Sequence, residues 1–264
     1  YRPGHADYTF DEKYGFRDYR GGGRSSGRET IGRVAAGAIA AKILKQLGIE
    51  ITTYVSSIGD VQVSPENFNR EYIMQNELYM PDKGSYERAS ALLSDIMAAN
   101  DSIGSSVQCI IKGMPAGIGE PVFDKLDANL AKAIMSIGAV KAIEIGDGCM
   151  VSENQGSYNN DNFSMKDGKV SKQSNHAGGI LGGMSDGSDI VIKAHFKPTP
   201  SIASTQHTVN KSGENIEVSI RGRHDPIIGP RAVVVVESMA AITVLDLLFD
   251  NMSSRLDKII DFYS

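Results

Sequence analysis

The chain has 264 residues, and 27 Lys and Arg against 32 Asp and Glu give it a net charge of −5. It is long enough to bury a sizeable core, and the acidic balance excludes a protein that coats nucleic acid by general electrostatics, so any anion site must be local. Cys109 and Cys149 show no ligand spacing, which implies neither a metal site nor a disulfide framework and fits a reducing cytoplasm. No run approaches the roughly 18 apolar residues of a spanning helix, and Tyr1 to His5 do not resemble a signal peptide.

Residues 1–29 are polar, rich in Gly and Arg and aperiodic, and read as loop. From Thr30 to Leu47 the apolar residues Ile31, Val34, Ala35, Ala38, Ile39, Ile43 and Leu47 recur at helical spacing and predict one buried helix face. Ser26 and Glu29 form an S-x-x-E capping box ahead of that run, and Gly48 ends it. A strand follows at about 49–56. A second helix is predicted at 85–99, with Ala89, Leu92, Leu93 and Ile96 inward. Alternation around Val107–Ile111 and Ile190–Lys197 predicts half-buried strands of antiparallel sheet. Leu126, Leu130, Ala133, Ile134 and Ile137 mark a third helix. Pro230 opens a fourth through Leu248, although the run Val233–Val236 favours strand locally. Gly and Asn gather at 146–160 and 175–187, and long glycine-rich loops are more often functional than idle. With no internal repeat and no linker-like break, the reading is one α+β domain over 1–264.

The most informative stretch is Gly21 to Thr30, at the entry to the first long helix. Its glycines let backbone approach a ligand, and the first-turn amides and the helix dipole favour an anion there. Arg28 then sits at the second helical position, where its charge opposes the dipole by ~0.3–1 kcal/mol unless an anion compensates. A solvated basic turn with Glu29 paired to an arginine is the alternative. His5-Ala6-Asp7 places an imidazole, able to donate or accept a proton near neutral pH, close to a carboxylate. Arg221-Gly222-Arg223-His224-Asp225-Pro226 gathers cations, a histidine and an acid before the last long helix; on sequence statistics alone, an exposed loop with Asp225 salt-bridged to a neighbour is the preferred reading. Lys197-Pro198-Thr199-Pro200-Ser201 leaves its strand through a stiff turn carrying one cation and two hydroxyls, with a simple edge-strand turn as the other reading. His176, His195 and His207 share no ligand spacing and read as structural or solvent-facing.

Taken together, Arg2–Asp7, Gly23–Thr30 and Gly222–Pro226 resemble the signature segments of the chorismate synthase family, in order and in separation. Gly113–Pro121, Asp124–Ala128, Glu144–Gly148, Gly178–Met184 and Lys197–Ser201 are similar to it as well. The resemblance implies a β-α-β sandwich of antiparallel sheets around helices, usually a homotetramer. It implies a lyase that converts 5-enolpyruvylshikimate 3-phosphate to chorismate and phosphate by 1,4-anti elimination, using reduced FMN with NADPH as its electron source. It also implies no nucleic-acid or membrane partner.

Carried over residue by residue, the resemblance makes His5 and Asp225 catalytic, and Ser26, Arg28 and Arg223 substrate-binding. The cofactor set is Arg2, Arg24, Ser25, Ser26, Gly27, Asn175, Gly182, Lys197, Pro198, Thr199, Pro200, Ser201, Arg223 and Asp225. Gly27 replaces the more frequent Ala, His176 a second Asn, and Ile227 a frequent Cys, none of which removes a charged contact. Nothing in the 264 residues matches the family's N-terminal Gly-Glu-Ser-His-Gly motif, whose histidine is the proposed acid for the leaving phosphate. These residues alone are therefore expected to lack normal turnover. A non-enzymatic FMN- or anion-binding module, and a flavin-independent phosphosugar lyase, are the competing readings.

Overall fold

The structure is a computed structural model that describes every residue except Arg221 and Arg223. The segment read as loop contains a short helix, α1 (Asp7–Tyr14), ended by Gly15 in the left-handed conformation. It escapes the apolar periodicity because its one buried residue is Asp7. Two 3-10 turns, Gly23–Ser25 and Gly27–Thr30, lead into α2 (Ile31–Gln46). Next come β1 (Glu50–Ile58), β2 (Val61–Gln62), α3 (Lys83–Ala98), β3 (Ser105–Lys112), α4 (Leu126–Met135) and β4 (Val140–Ile145). The long loops hold α5 (Gly156–Asn159) and the hairpins β5 (Phe163–Lys166)/β6 (Lys169–Lys172) and β7 (Ile180–Leu181)/β8 (Met184–Ser185). Strand β9 (Ile190–Phe196) buries every second residue, as its alternation requires. The hairpin β10 (Gln206–Val209)/β11 (Asn215–Val218), α6 (Gly229–Asn251) and α7 (Leu256–Tyr263) complete the chain.

The class is α+β with antiparallel sheets, and the main sheet has the order β2-β1-β3-β9-β4. The chain divides into two compact units: residues 1–30, 54–106 and 195–232, and residues 31–53, 107–194 and 233–264. In the first, Val55, Ile58, Met80 and Ala89 are fully buried, with Phe196 nearly so. In the second, Leu44, Val107, Ile111, Leu126, Leu130, Ile134, Ile190, Ile192 and Val244 form the core.

Three sequence expectations are corrected here. First, α2 buries Gly37, Ala40 and Leu44, while Ile31, Ile39, Ile43 and Leu47, expected inside, are exposed. The reason is close approach: a Cβ on Gly37 would stand 2.2 Å from the Cβ of Ser238 on α6, so small residues, not large ones, mark the contact side. Second, the capping box is only half made. The Arg28 amide donates to Ser26 Oγ at 3.3 Å, but the Glu29 carboxylate pairs with Arg24 at 3.1 Å instead of returning to Ser26. Third, α6 is long and apolar enough to cross a membrane by length and composition, contrary to the reading that no run comes close. Half of its most apolar window is buried within the protein, as in a core helix. The run Val233–Val236 lies inside α6, where burial of Val233, Val235 and Val236 overrides local strand preference.

Candidate functional site

Within the first unit the chain start folds against the turn that follows β9. Gly4 has φ +70°, and a Cβ there would lie 2.6 Å from the Pro200 Cβ, so only glycine lets the backbone here pack this closely on the Pro200 ring. Lys197 Nζ donates to the Gly4 carbonyl at 2.7 Å. The adjacent His5 ring places Nε2 2.9 Å from Ser201 Oγ. His5 and the Lys197–Ser201 turn are thus one local constellation, although almost two hundred positions separate them in the chain. Burial pulls the imidazole below its ordinary pKa; Arg2, Lys197 and His224 act in the same direction and Asp7 opposes them, so the surroundings favour the neutral ring.

The imidazole–carboxylate pair anticipated in His5-Ala6-Asp7 does not form. Asp7 is instead held by Arg2, which donates its backbone amide (3.0 Å), Nε (3.0 Å) and a terminal guanidinium nitrogen (2.8 Å). Arg17 stands behind it at 3.7 Å and itself donates to Asp11. The Arg2 hydrogen bonds are the main force holding the Asp7 carboxyl well below the usual carboxylate range. Arg2 therefore spends its fork on a structural carboxylate. A cavity of about 200 Å³ opens beside this pair, lined among others by Tyr1, Arg17 and Tyr19.

The Gly21–Thr30 segment is largely exposed, with Ser26, Glu29 and Thr30 half-buried. Ser25 Oγ donates to the Gly22 carbonyl at 2.7 Å, and Gly27 opens the second 3-10 turn with no neighbour near its Cβ position. Arg24 is spent on Glu29, as the solvated-turn reading anticipated, whereas the Arg28 guanidinium makes no ion pair among the described residues. Arg223 lies outside the described residues. Asp225 binds the guanidinium of Arg231 through both oxygens, at 3.0 and 2.6 Å, on an exposed surface. In the Lys197–Ser201 turn, Pro198 is exposed and the Thr199 carbonyl accepts from Ser102 Oγ at 2.7 Å. The Thr199 hydroxyl oxygen is buried without a partner among the described residues.

Asn175 and Gly182 belong to the second unit. Gly182 turns the β7/β8 hairpin at φ +59°. Asn175 is occupied at both ends of its amide: Nδ2 donates to the Asp189 carbonyl at 2.8 Å, and Oδ1 accepts from Lys172 at 3.2 Å. The sequence reading missed the cluster to which it belongs. Lys172 and Asp161 are each only 2% exposed; Lys172 Nζ donates to Asp161 at 3.0 Å and to Asp186 at 2.7 Å. Asp161 also accepts from Ser174 Oγ and from the amides of His176 and Ala177. Those hydrogen bonds outweigh burial and keep the Asp161 and Asp186 carboxyls below their ordinary pKa. Its only sequence trace is a lysine in a glycine-rich segment with acids on either side. His176 bonds Asp147 at 2.6 Å and packs on the Tyr158 ring at a centroid distance of 4.7 Å, a structural role as read from the sequence.

Comparison with known proteins bears on both units. The family model described as chorismate synthase matches residues 1–249. The chorismate synthase of Agathobacter rectalis is 64% identical over 263 residues, covering the whole of this chain and 72% of the relative. That of Lachnoclostridium phytofermentans is 62% identical over 264 residues with the same 72% share. That of Methanococcoides burtonii is 51% identical over 251 residues, 93% of this chain and 68% of the relative. A crystal structure of chorismate synthase superposes with a TM-score of 0.79 at 28% identity, over 98% of this chain and 74% of that one.

Proposed function

Since the chain belongs to the chorismate synthase family, enzymes of the shikimate pathway, we propose that it carries out the family's elimination, turning 5-enolpyruvylshikimate 3-phosphate into chorismate and phosphate with reduced FMN. In that 1,4-anti reaction the bond from C3 to the phosphate oxygen breaks and one C6 hydrogen is lost. Reduced FMN, when bound, supplies transient electron density and is not consumed overall. The observation that carries the reading is the constellation of His5, Ser201, Lys197 and Gly4 in one unit.

The donor set fits a flavin. The Thr199 hydroxyl, buried without a partner among the described residues, offers a polar group to a flavin, and Lys197 adds a cation to a turn stiffened by Pro198 and Pro200. Arg24, Ser25, Ser26 and Gly27 extend the cofactor set within the first unit; Asn175 and Gly182, which the family resemblance also assigns to the cofactor, belong to the second unit. Asn175's own amide is already committed. Arg2 contributes through Asp7, by fixing the loop that carries His5. Arg28 and Ser26 hold the anionic groups of the substrate, and Arg223 is assigned with them. An arginine without an internal partner offers a planar fork for a phosphate or carboxylate, and such charge-assisted bonds contribute about 1.5–3 kcal/mol.

His5 and Asp225 manage protons on the cofactor side. A neutral imidazole can accept or relay a proton at pH 7, and the Asp225 carboxylate, oriented by Arg231, can accept one. The working assembly in this proposal is a cytoplasmic homotetramer with NADPH as the ultimate reductant. An anaerobic assay of the full-length enzyme with reduced FMN tests the function: stoichiometric release of phosphate and chorismate is the expected result. Tight flavin binding without turnover would point to a binding module, and turnover without flavin to a different lyase.

A further inference from the structure

We propose that Ser201 is a positioning residue that donates its hydroxyl proton to His5 Nε2 and thereby holds the imidazole in the tautomer protonated on Nδ1. The two atoms lie 2.9 Å apart. Ser201 is only 9% exposed, and His5 Nε2 is the one partner its Oγ has among the described residues. A buried hydroxyl proton needs an acceptor, and here that acceptor is the ring nitrogen. The reverse arrangement, with Nε2–H donating to Oγ, would leave the serine proton without a partner among the described residues.

The surroundings support the same orientation. Burial, the guanidinium of Arg2, the ammonium of Lys197 and the imidazole of His224 all act against a charged His5, and Asp7, the group that favours charge, is engaged by Arg2. A neutral ring has one nitrogen free to accept, and the hydrogen bond made by one nitrogen decides the state of the other. The geometry is also fixed from both sides. Gly4 meets Pro200 backbone to side chain, and Lys197 clamps the Gly4 carbonyl, so His5 and Ser201 cannot drift apart without breaking that contact. The catalytic consequence rests on the role proposed above for His5; the tautomer itself does not.

Nitrogen NMR of the full-length, flavin-free protein labelled on its histidines tests this, with His5 assigned by loss of its signals in His5→Gln. The expected wild-type pattern at neutral pH is a protonated Nδ1 and an acceptor-type Nε2. In Ser201→Ala the Nε2 resonance should move to the protonated type, and Ser201→Thr, which keeps the hydroxyl, should restore the wild-type pattern. A protonated Nε2 in the wild type, or a pattern unchanged in Ser201→Ala, would overturn the proposal. If Ser201→Ala does not fold, Ser201→Cys, a much weaker donor, carries the comparison and should show the same shift. Single-turnover kinetics at saturating reduced flavin complete the test: Ser201→Ala should slow the chemical step, and Ser201→Thr should recover it. A chemical step indifferent to His5→Ala would sink the role of His5, while the tautomer result would still stand.

Discussion

Arg2 grips Asp7 with three separate donors, two from its guanidinium and one from its own backbone amide. The pair pins residues 1–6 to the first turn of α1, with His5 held between the two partners. Cutting the carboxylate to Asp7→Asn should lower stability by about 1.5–3 kcal/mol at pH 7, the scale of hydrogen bonds to a charged group. Urea unfolding measures it.

The same pair gives a pH signature. Asp7 is depressed in the folded protein, so its contribution is complete above the unfolded carboxylate value of about 3.9 and is lost as pH falls through the lower folded value. The stability gap between wild type and Asp7→Asn should therefore stay constant from neutral pH down to about 5 and close at more acid pH. A gap that closes near pH 6 would mean that a histidine, not Asp7, is responsible.

Arg28 has no ion pair among the described residues and lies in an exposed turn. Arg28→Ala is expected to weaken substrate binding by about 1.5–3 kcal/mol and to leave the unfolding midpoint of the ligand-free protein unchanged. Calorimetric titration and a melt distinguish this from a structural role, which would do the opposite.

For the full-length enzyme, His5→Ala and Asp225→Asn should each lower kcat by roughly 10²–10⁴ with little change in substrate affinity. Asp225→Asn also breaks the pairing with Arg231, but that pair is exposed and such pairs contribute only about 0–1 kcal/mol. A large fall in stability would show that the carboxylate is structural. Anaerobic single-turnover kinetics read the chemical step directly.

Lys172→Met should cost about 3–5 kcal/mol, because it strands two buried carboxylates that now share one ammonium. Hydrogen exchange should quicken at the amides of His176 and Ala177, which donate to Asp161. Unchanged exchange there would mean that Asp161 holds the loop without help from the lysine.

Much of the fold was legible because the signal was periodic. Strand β9 and helices α3 and α4 repeat their apolar residues at 2 and 3.6, and their bounds fall within a few residues of expectation. Helix α2 shows the limit: it is apolar on more than one side, and which side is buried depends on where Ser238 arrives. Helix α1 and the buried cluster at Lys172 were invisible for a related reason. Both are organised by charge pairing between residues whose proximity is a result of folding, and no local pattern encodes it. The site divides in the same way. Residue types and motifs pointed to His5, Lys197 and Ser201, yet the partner of His5 proved to lie far along the chain and not two residues away.

Lys172 is also a natural clock for opening of its segment. An acylating reagent that marks surface amines can reach Lys169 or Lys211, but Lys172, at 2% exposure, reacts only when its surroundings separate. Incorporation at that one amine, followed over time by mass spectrometry, counts how often the glycine-rich region breathes in the otherwise intact protein.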